Sequence, residues 1–293
     1  MNVYQLVTDK ICDQLAKGVI PWQQPWITAE NGGALNYVTR KYYSPLNQMF
    51  LRPGEYLTFN QIKERNGNIR KGAKADIVVF FKKYEKKTSD SDTANEGEGE
   101  ESKRTAFVLR YYHVFHIADT EGIESKLEQR ELNNEVQPID KAEQIINGYI
   151  TRPDAPKFRN TEFSNNAFYR PSTDEVQVPM MAQYKDTEEY YSTAFHELTH
   201  STGAEKRLNR KAENKTLARF GSMEYSREEL VAEIGAAMLC NTAGLNGEKA
   251  FKNSVAYIKG WLEHLKNDNR AIVWASTRAE KAAKYILNEP ITE

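Results

Sequence analysis

The stretch AFHELTHSTG, residues 194–203, contains the pattern H-E-x-x-H and decides how the second half of the chain is interpreted. His196 and His200 are four residues apart, so on a helix they project from one face and direct ring nitrogens to one point. Zinc binds imidazole nitrogens at about 2.0–2.1 Å, and a catalytic zinc site uses three protein ligands. The stretch therefore predicts a helix with two metal ligands, with Zn²⁺ as the expected ion and another divalent metal such as Mn²⁺ as the alternative.

A second segment, EELVAEIGA at residues 228–236, supplies candidates for the third ligand. Helical phase favours Glu229 over Glu228, because Glu228 falls away from the apolar stripe of the predicted helix. Glu233, one turn after Glu229, is expected to accept the free N–H of a ligand histidine and so fix its tautomer. Glu197, inside the motif, is the candidate general base. Each residue thus has a role that its type and spacing permit.

The motif has alternative interpretations. A chain of this composition would contain H-E-x-x-H by chance in about one of a hundred shuffled versions, so the downstream glutamates add weight. The remaining histidines are weaker candidates for a metal site. His113 and His116 lie in a predicted strand at odd separation and face opposite sides of it, whereas His264 stands alone.

Length and composition bound the fold class. The 293 residues are 40% hydrophobic and 28% charged, which favours a folded protein of two domains. The net charge of -1 argues against a histone-like binder. Cys12 and Cys240 lie far apart outside any C-x-x-C pattern, which is typical of a reduced intracellular protein. With no apolar run long enough for a signal peptide or membrane span, we expect a cytoplasmic protein with no membrane partner.

The first half reads as a helix followed by strands. Apolar residues recur at helical spacing from residue 3 to 15 and stop at Gly18, while residues 75–81 and 105–117 are β-branched and aromatic runs that predict neighbouring strands. The acidic segment 86–104 between them predicts a mobile hairpin loop. The polar stretch 125–137 predicts a boundary between domains at 1–130 and 131–293, after which Pro138 begins a helix.

The second half predicts strands and helices. Residues 165–180 favour two short strands around a Pro-Ser-Thr-Asp turn. Helical stretches follow at 187–202, 226–243, 248–268 and 276–288. The chain is therefore expected to be α+β, with a mostly helical C-terminal domain that carries the candidate chemistry.

Residues 36–83 combine basic and aromatic side chains. This window holds ten Lys or Arg, three Asp or Glu and eight aromatic residues. Single-stranded nucleic acid is bound by cations along phosphates and by aromatic faces that stack on bases. The surface candidates are Arg40, Lys41, Tyr42, Tyr43, Arg65, Arg70, Lys71 and Lys74. Trp22 and Trp26 are better interpreted as packing anchors, and the alternative for the whole window is an ordinary core with solvated lysines.

Several longer stretches carry a family resemblance. VTDKICDQLAKGVIPWQQPW, YLTFNQIKERNGNIRKGAKADIVVFF and YYHVFHIADTEGI resemble the N-terminal domain of the ArdC antirestriction family, which is also seen in TraC-type plasmid primases. FYRPSTDEVQVP, YYSTAFHELTHSTGAEKRLNR and YSREELVAEIGAAML resemble the zincin-like metallopeptidase domain that follows it. The resemblance implies an N-terminal domain that binds single-stranded DNA and a role in protecting transferred DNA from restriction.

By position, the resemblance implies that His196, His200 and Glu229 bind metal and that Glu197 is the catalytic glutamate. The turn after His116 departs from the family pattern, so individual DNA-binding residues of the family are matched less closely in this half. Three functions stay open: an antirestriction protein that binds single-stranded DNA, an intracellular zinc peptidase that cleaves a specific host protein, and a structural metal site that cuts nothing. A ligand set alone does not choose between the last two.

Overall fold

The structure, a computed structural model, describes residues 2–23, 33–86, 104–127, 138–184, 186–210, 223–245 and 255–291. Helices and strands are mixed along the chain, which confirms the α+β class. The predicted acidic loop, from residue 87 to 103, lies outside the described residues, as do residues 128–137 of the polar stretch and Trp26. The domain boundary near residue 130 therefore stays a prediction.

The helices are α1 (Val3–Ala16), α2 (Pro45–Gln48), α3 (Phe59–Lys63), α4 (Pro138–Ile150), α5 (Thr187–Ser201), α6 (Met223–Ala243), α7 (Val255–Asn267) and α8 (Ala271–Leu287). The strands are β1 (Ala34–Asn36), β2 (Gly54–Leu57), β3 (Asn68–Ile69), β4 (Asp76–Lys86), β5 (Arg104–His116), β6 (Thr120–Glu121), β7 (Lys157–Arg159), β8 (Phe168–Arg170) and β9 (Glu175–Gln177). Each predicted helix and strand therefore has a counterpart among the described residues, and residues 248–254, where the helix predicted at 248–268 begins, lie outside them.

Helix α1 has the start and stop that its sequence predicts. The Asn2 side chain accepts a backbone N–H of the first turn at 3.1 Å, and Gly18 ends the helix with φ +81°, which glycine adopts most readily. The fully buried residues Val7, Ile11 and Leu15 recur at helical spacing. This face packs on α7 and α8 in one core with the C-terminal helices, so the first helix of the chain is joined to its last.

The N-terminal half contains a four-stranded sheet in the order β1-β2-β5-β4. Strands β1 and β2 are parallel, and the other neighbours are antiparallel. Strands β4 and β5 form a long hairpin in which Ile77 pairs with His113 and Phe80 pairs with Arg110. The two predicted neighbouring strands are thus confirmed, and their β-branched and aromatic composition suits a pleated surface.

The base of this hairpin is buried on both faces. Val78 and Val114 lie on one face in a small core with Tyr43 and Tyr56. Val79, on the opposite face, belongs to the main core that also contains α1 and the C-terminal helices. The sheet is therefore covered on both sides at its base, which fixes the direction in which the hairpin extends.

Smaller elements complete the N-terminal half. Helix α3 begins with a capping box, in which Thr58 and Gln61 exchange side-chain to backbone hydrogen bonds of 3.3 and 2.9 Å. Strands β3 and β6 pair antiparallel next to it. Tyr37, Leu57 and Ile62 form a third, local core beneath these elements.

The C-terminal half begins with α4 at Pro138, as predicted, and continues into a small sheet in the order β7-β9-β8. Strand β9 is parallel to β7 and antiparallel to β8. The turn between β8 and β9 carries Asp174 with φ +48°, which Asp tolerates better than most residues. The two strands predicted around the Pro-Ser-Thr-Asp turn are confirmed.

Helices α5 and α6 cross at a close contact. A Cβ built on Gly235 of α6 would lie 2.6 Å from Cγ2 and 2.9 Å from Oγ1 of Thr199 on α5, so only glycine fits without a shift. From Leu230 to Ala243, α6 is almost entirely buried and is the central helix of the C-terminal half. Glu229, at the start of this buried stretch of α6, lies beside the histidines of α5.

Within the described ranges, no helix is long and apolar enough to cross a membrane.

Candidate functional site

Helix α5 holds the two histidines of the motif on one face. Asp186 caps its start by accepting the N–H of Glu188 at 2.8 Å, and Tyr190, Phe195 and Leu198 anchor the helix in the core. The histidine side chains remain 19% and 14% exposed, with His196 Nε2 and His200 Nε2 3.1 Å apart. The spacing of four residues thus brings two imidazole nitrogens to one point, as their sequence positions require.

The third side chain at this point comes from α6. Glu229 Oε2 lies 3.6 Å from His196 Nε2, and Glu229 Oε1 lies 3.4 Å from His200 Nε2. All three groups lie within 4.8 Å of one another. Ligand atoms about 2.0–2.1 Å from a tetrahedral ion would be roughly 3.3 Å from each other. The separations and the two-imidazole, one-carboxylate donor set therefore fit a divalent cation, although that these residues bind one remains a proposal.

Glu228, the other candidate for third ligand, has a different set of contacts. Its Oε1 accepts a hydrogen bond from Arg210 Nη2 at 2.6 Å and lies 3.6 Å from Nδ1 of His200. Arg210 is itself buried and donates to the Thr199 carbonyl at 2.9 Å and to the hydroxyl of Thr202. Glu228 therefore bridges a buried cation and the ring nitrogen of His200 that faces away from Glu229.

This geometry places a carboxylate where the sequence analysis expected Glu233. A ligand histidine usually donates its second N–H to such a group, which fixes the tautomer and ring orientation. Glu233 lies one turn after Glu229 and is half-buried, and its role stays a prediction. Arg210 lies in the segment between the motif and α6. The spacing of the histidines and glutamates does not predict its contact with Glu228, so this residue was not identified from the sequence.

Charge within the site is strongly polarised. Burial opposes protonation of His200, but hydrogen bonds with Glu228 and Glu229 outweigh it and raise the pKa of His200 to about 10. Burial would raise the pKa of Glu228, yet the nearby Arg210 cation and His200 lower it to about 2. Against burial, the two histidines hold the pKa of Glu229 well below its usual range. The two carboxylates that face His200 favour the protonated, positively charged form of its ring. A metal ion would therefore compete with a proton for His200.

Glu197 follows His196 on α5 and is only 8% exposed. Tyr184, just before α5, lies within electrostatic range of it. Burial raises the pKa of Tyr184, and the negative charges of Glu189 and Glu197 add to that effect. The catalytic role of Glu197 stays a prediction.

The end of α5 is fixed by a second buried arginine. Arg207 donates to the carbonyls of Ser201 at 2.7 Å and Asp154 at 2.6 Å, and it forms an ion pair with Asp174. Asp174 also accepts from Tyr169 at 2.9 Å. These contacts join the β8–β9 turn to the last turn of α5, which contains His200.

Some of the predicted DNA-binding residues of the N-terminal half make contacts within the fold. Arg40 adopts φ +57° and forms an ion pair with the buried carboxylate of Glu55. Arg65 lies over the ring of Tyr37 at 5.7 Å. Tyr43, expected at the surface, is only 7% exposed because it packs between Tyr56 and Phe80, so the surface assignment of Tyr43 is corrected.

The other candidates are exposed. These are Lys41, Tyr42, Arg70, Lys71 and Lys74. Arg70 also donates to the carbonyl of Thr120 at 3.1 Å, which ties it to β6. Contact with DNA stays a prediction for the seven candidates other than Tyr43.

The comparisons with known proteins match both halves of the chain. Residues 1–115 match the family described as the N-terminal domain of anti-restriction factor ArdC, and residues 151–278 match a family described as zincin-like metallopeptidase. The two-domain layout predicted from the sequence, in that order, is thereby confirmed.

Individual relatives are similar over almost the whole chain. The chain is 30% identical to the uncharacterised protein y4eC of Sinorhizobium fredii, with 97% of the chain and 91% of the relative covered. It is 28% identical to the DNA primase TraC of Escherichia coli over 97% of its own length, but it spans only 20% of that relative. The similarity to the primase is thus confined to a small part of it.

Two crystal structures of the antirestriction protein ArdC from plasmid R388 share the fold. The Mn(II)-bound structure gives a TM-score of 0.70 at 30% identity, with 98% of both chains covered. The metal-free structure gives 0.68 at 28% identity, with 99% and 100% covered. The zincin-like match and the Mn(II)-bound relative together point to a divalent metal.

Proposed function

Because the chain belongs to the ArdC-type antirestriction family, we propose that it binds single-stranded DNA and protects DNA entering a cell on a plasmid or other mobile element from restriction. The observation that carries this proposal is the correspondence of both halves to R388 ArdC, with 98% of each chain covered at a TM-score of 0.70. The family match to TraC fits a plasmid-associated role. We place the activity in the cytoplasm, where restriction acts on entering DNA.

The local chemistry of the N-terminal half supports a nucleic-acid partner. Lys41, Lys71 and Lys74 are exposed cations, and Tyr42 is an aromatic side chain 37% exposed. Cations and accessible rings together favour single strands, whose base faces are free for stacking, over duplexes.

Transfer of an unmodified plasmid into restricting recipients tests the proposal. Cells that carry the protein should receive the plasmid more often than cells that lack it, and the difference should vanish in recipients without a restriction system. An equal gain in both recipients would show that the protein acts on transfer itself, and no gain in either would contradict protection.

A second candidate function, intracellular peptidase activity on a specific host protein, is favoured by the metal-site geometry. We propose that His196, His200 and Glu229 bind a divalent metal, with Zn²⁺ expected and Mn²⁺ as the alternative. A bound divalent ion supplies a Lewis acid. Glu197, adjacent in sequence to His196 and mostly buried, would act as the general base, since its carboxylate can accept a proton from the attacking water.

The Glu197→Gln variant separates the functions. It keeps the size and the metal ligands but removes the base, so it should bind metal normally and lose any proteolysis. If protection in cells persists with Glu197→Gln, peptidase chemistry is not the mechanism of protection. If protection is lost while DNA binding is retained, the peptidase hypothesis is supported.

The third hypothesis, a structural metal site, makes a separate prediction. Removing the metal would then lower the melting temperature without changing protection or any cleavage. Elemental analysis of the purified protein would identify the bound metal and test the expectation of zinc.

A further inference from the structure

The outer half of the β4–β5 hairpin exposes large aromatic side chains. The exposed fractions are 44% for Phe80, 47% for Phe81, 65% for Phe107, 36% for Tyr111 and 45% for Tyr112. A pleated strand places successive residues on opposite faces, so these rings divide between the two faces of the hairpin. Exposed rings in this number are uncommon on a surface without a partner.

One face combines Phe80 and Tyr112, which we call the platform. These residues are diagonal neighbours, because Phe80 pairs with Arg110 and Val78 pairs with Tyr112. Their ring centroids are 6.1 Å apart with planes tilted by 58°. The Phe80 ring also lies 6.2 Å from the ring of buried Tyr43. Packing on the core therefore holds the platform in place before any ligand arrives.

Positive charge flanks the platform on the same face. Arg110 lies opposite Phe80, and Lys82 lies two residues further along β4; both are exposed. The outer hairpin segments 80–83 and 107–112 contain Lys82, Lys83 and Arg110 but no Asp or Glu. Exposed cations therefore lie beside the exposed rings, as the binding of a polyanion requires.

We infer that the platform is the base-stacking site for single-stranded DNA, with Phe80 and Tyr112 contacting base faces and Arg110 and Lys82 contacting phosphates. This inference rests on the proposed single-strand binding and locates it. Rings held between cations suit a strand whose bases are unpaired, whereas a duplex buries its base faces. Tyr43, one of the residues predicted from the sequence to contact DNA, supports the platform from below.

The opposite face of the same hairpin provides a matched control. Phe81 and Phe107 are at least as exposed as the platform rings, and they lie on the same two strands. Substitutions there alter apolar exposure and hairpin composition to a similar degree without touching the platform. A difference between the two faces therefore reports on the platform itself.

The test is a fluorescence anisotropy titration of the full chain with labelled oligo(dT) and with an abasic strand of equal length. The variants are Phe80→Leu/Tyr112→Leu for the platform and Phe81→Leu/Phe107→Leu for the control, because leucine keeps an apolar contact but removes the ring. Wild type and control should bind oligo(dT) more tightly than the abasic strand. The platform variant should lose roughly tenfold or more on oligo(dT) and almost nothing on the abasic strand.

The outcomes are distinct. If wild type does not bind oligo(dT), the proposed function fails and the platform with it. If wild type binds and the platform variant binds equally well, the platform is wrong while the proposed function stands. Equal losses on the two faces would overturn the assignment to one face. Altered sedimentation of the platform variant with unchanged DNA binding would identify a surface for another copy or another protein.

Two further variants keep the test decisive if the double variant does not fold. Tyr112→Phe should bind like wild type, because it retains the ring. Arg110→Gln should weaken binding to both strands and reduce the slope of log affinity against log salt by about 0.7, the value for one phosphate contact on a single strand. An unchanged slope would remove Arg110 from the site and contradict the inference.

Discussion

Glu228 Oε1 lies 3.6 Å from Nδ1 of His200 and is expected to support metal binding through that ring. Glu228→Gln should weaken divalent metal binding about 10- to 100-fold, because Nδ1 of His200 loses the carboxylate that fixes the tautomer. Competition with a chromophoric chelator measures the affinity, and the nitrogen NMR signals of the histidines report the tautomer.

Glu233→Gln is the matched control, since Glu233 was the partner expected from the sequence. It should leave affinity and tautomer nearly unchanged. A larger loss in Glu233→Gln than in Glu228→Gln would return the role to Glu233 and contradict the geometric assignment.

Asp174 gives a second prediction. Burial would raise its pKa, but Arg207, Lys206 and Tyr169 outweigh burial and hold the pKa of Asp174 far below the ordinary value of 3.8. A lowered folded-state pKa contributes stability above about pH 4, which is lost as the pH falls further. Asp174→Asn keeps a residue that tolerates φ +48° and should destabilise by about 2 kcal/mol or more at neutral pH, because buried Arg207 loses its counter-ion.

Urea unfolding at pH 7 and near pH 3 measures the Asp174 contribution. The difference between wild type and Asp174→Asn should shrink at the lower pH, because the carboxyl of Asp174 then takes up a proton in the unfolded chain while it stays ionised in the folded one. A difference that stays constant with pH would show that the backbone turn, and not the ion pair, carries the effect.

Local spacing explains which residues of the site were predictable. His196 and His200 converge because four residues make about one turn of helix, and phase along a single helix separates Glu229 from Glu228. Arg210 reaches Glu228 only through the tertiary contact of α5 with α6, and no spacing rule contains that information. For the same reason Tyr43 was misassigned, since Phe80 covers it from another strand.

The close crossing of helices α5 and α6 depends on the absence of a side chain at Gly235. Gly235→Ala should destabilise by about 1–3 kcal/mol, because its Cβ would overlap Thr199 at 2.6 Å. Gly148→Ala, at an exposed position of α4 with nothing within 4 Å of the new Cβ, should stabilise by about 0.5–1 kcal/mol.

Thermal unfolding of both glycine variants provides the comparison. The two variants should change the free energy of unfolding in opposite directions. This difference separates the cost of the clash at the helix crossing from the general gain of alanine over glycine in a helix. A stabilised Gly235→Ala protein would show that α5 and α6 separate without penalty, and that the metal site is less tightly fixed than the geometry indicates.

Sequence patterns predicted most elements, because helical periodicity and β-branched runs are local. They did not predict that the outer β4–β5 hairpin is exposed, since a continuous run of apolar and aromatic residues suggests burial on both faces. Val79 and Leu109 are the last residues of the hairpin that pack in the main core, and the described side chains beyond them are exposed. Only the tertiary structure shows where this core ends.

At the scale of the whole molecule, α1 connects the two halves. Ile11 is fully buried in the core shared with α7 and α8, and Thr8 donates to the carbonyl of Asn269 at 2.9 Å. Ile11→Ala should therefore lower the stability of the whole chain by about 2–5 kcal/mol within one cooperative transition. Val19→Ala, at a 42% exposed position, should change stability little.

Denaturant unfolding followed by circular dichroism and by tryptophan fluorescence tests this connection. The ring centroids of Trp22 and Trp261 lie 6.0 Å apart across the two halves, so these two of the four tryptophans contribute a signal from the junction. Two separated transitions, of which only one shifts in Ile11→Ala, would contradict a shared core.

We claim that the chain binds single-stranded DNA in preference to duplex, through phosphate contacts and stacking. The most direct measurement is the affinity of the intact protein for oligo(dT) and for a duplex of equal length over a series of salt concentrations. We expect tighter binding to the single strand at every concentration, with an affinity that falls steeply and linearly in log salt. Equal, weak binding to both forms would contradict the claim.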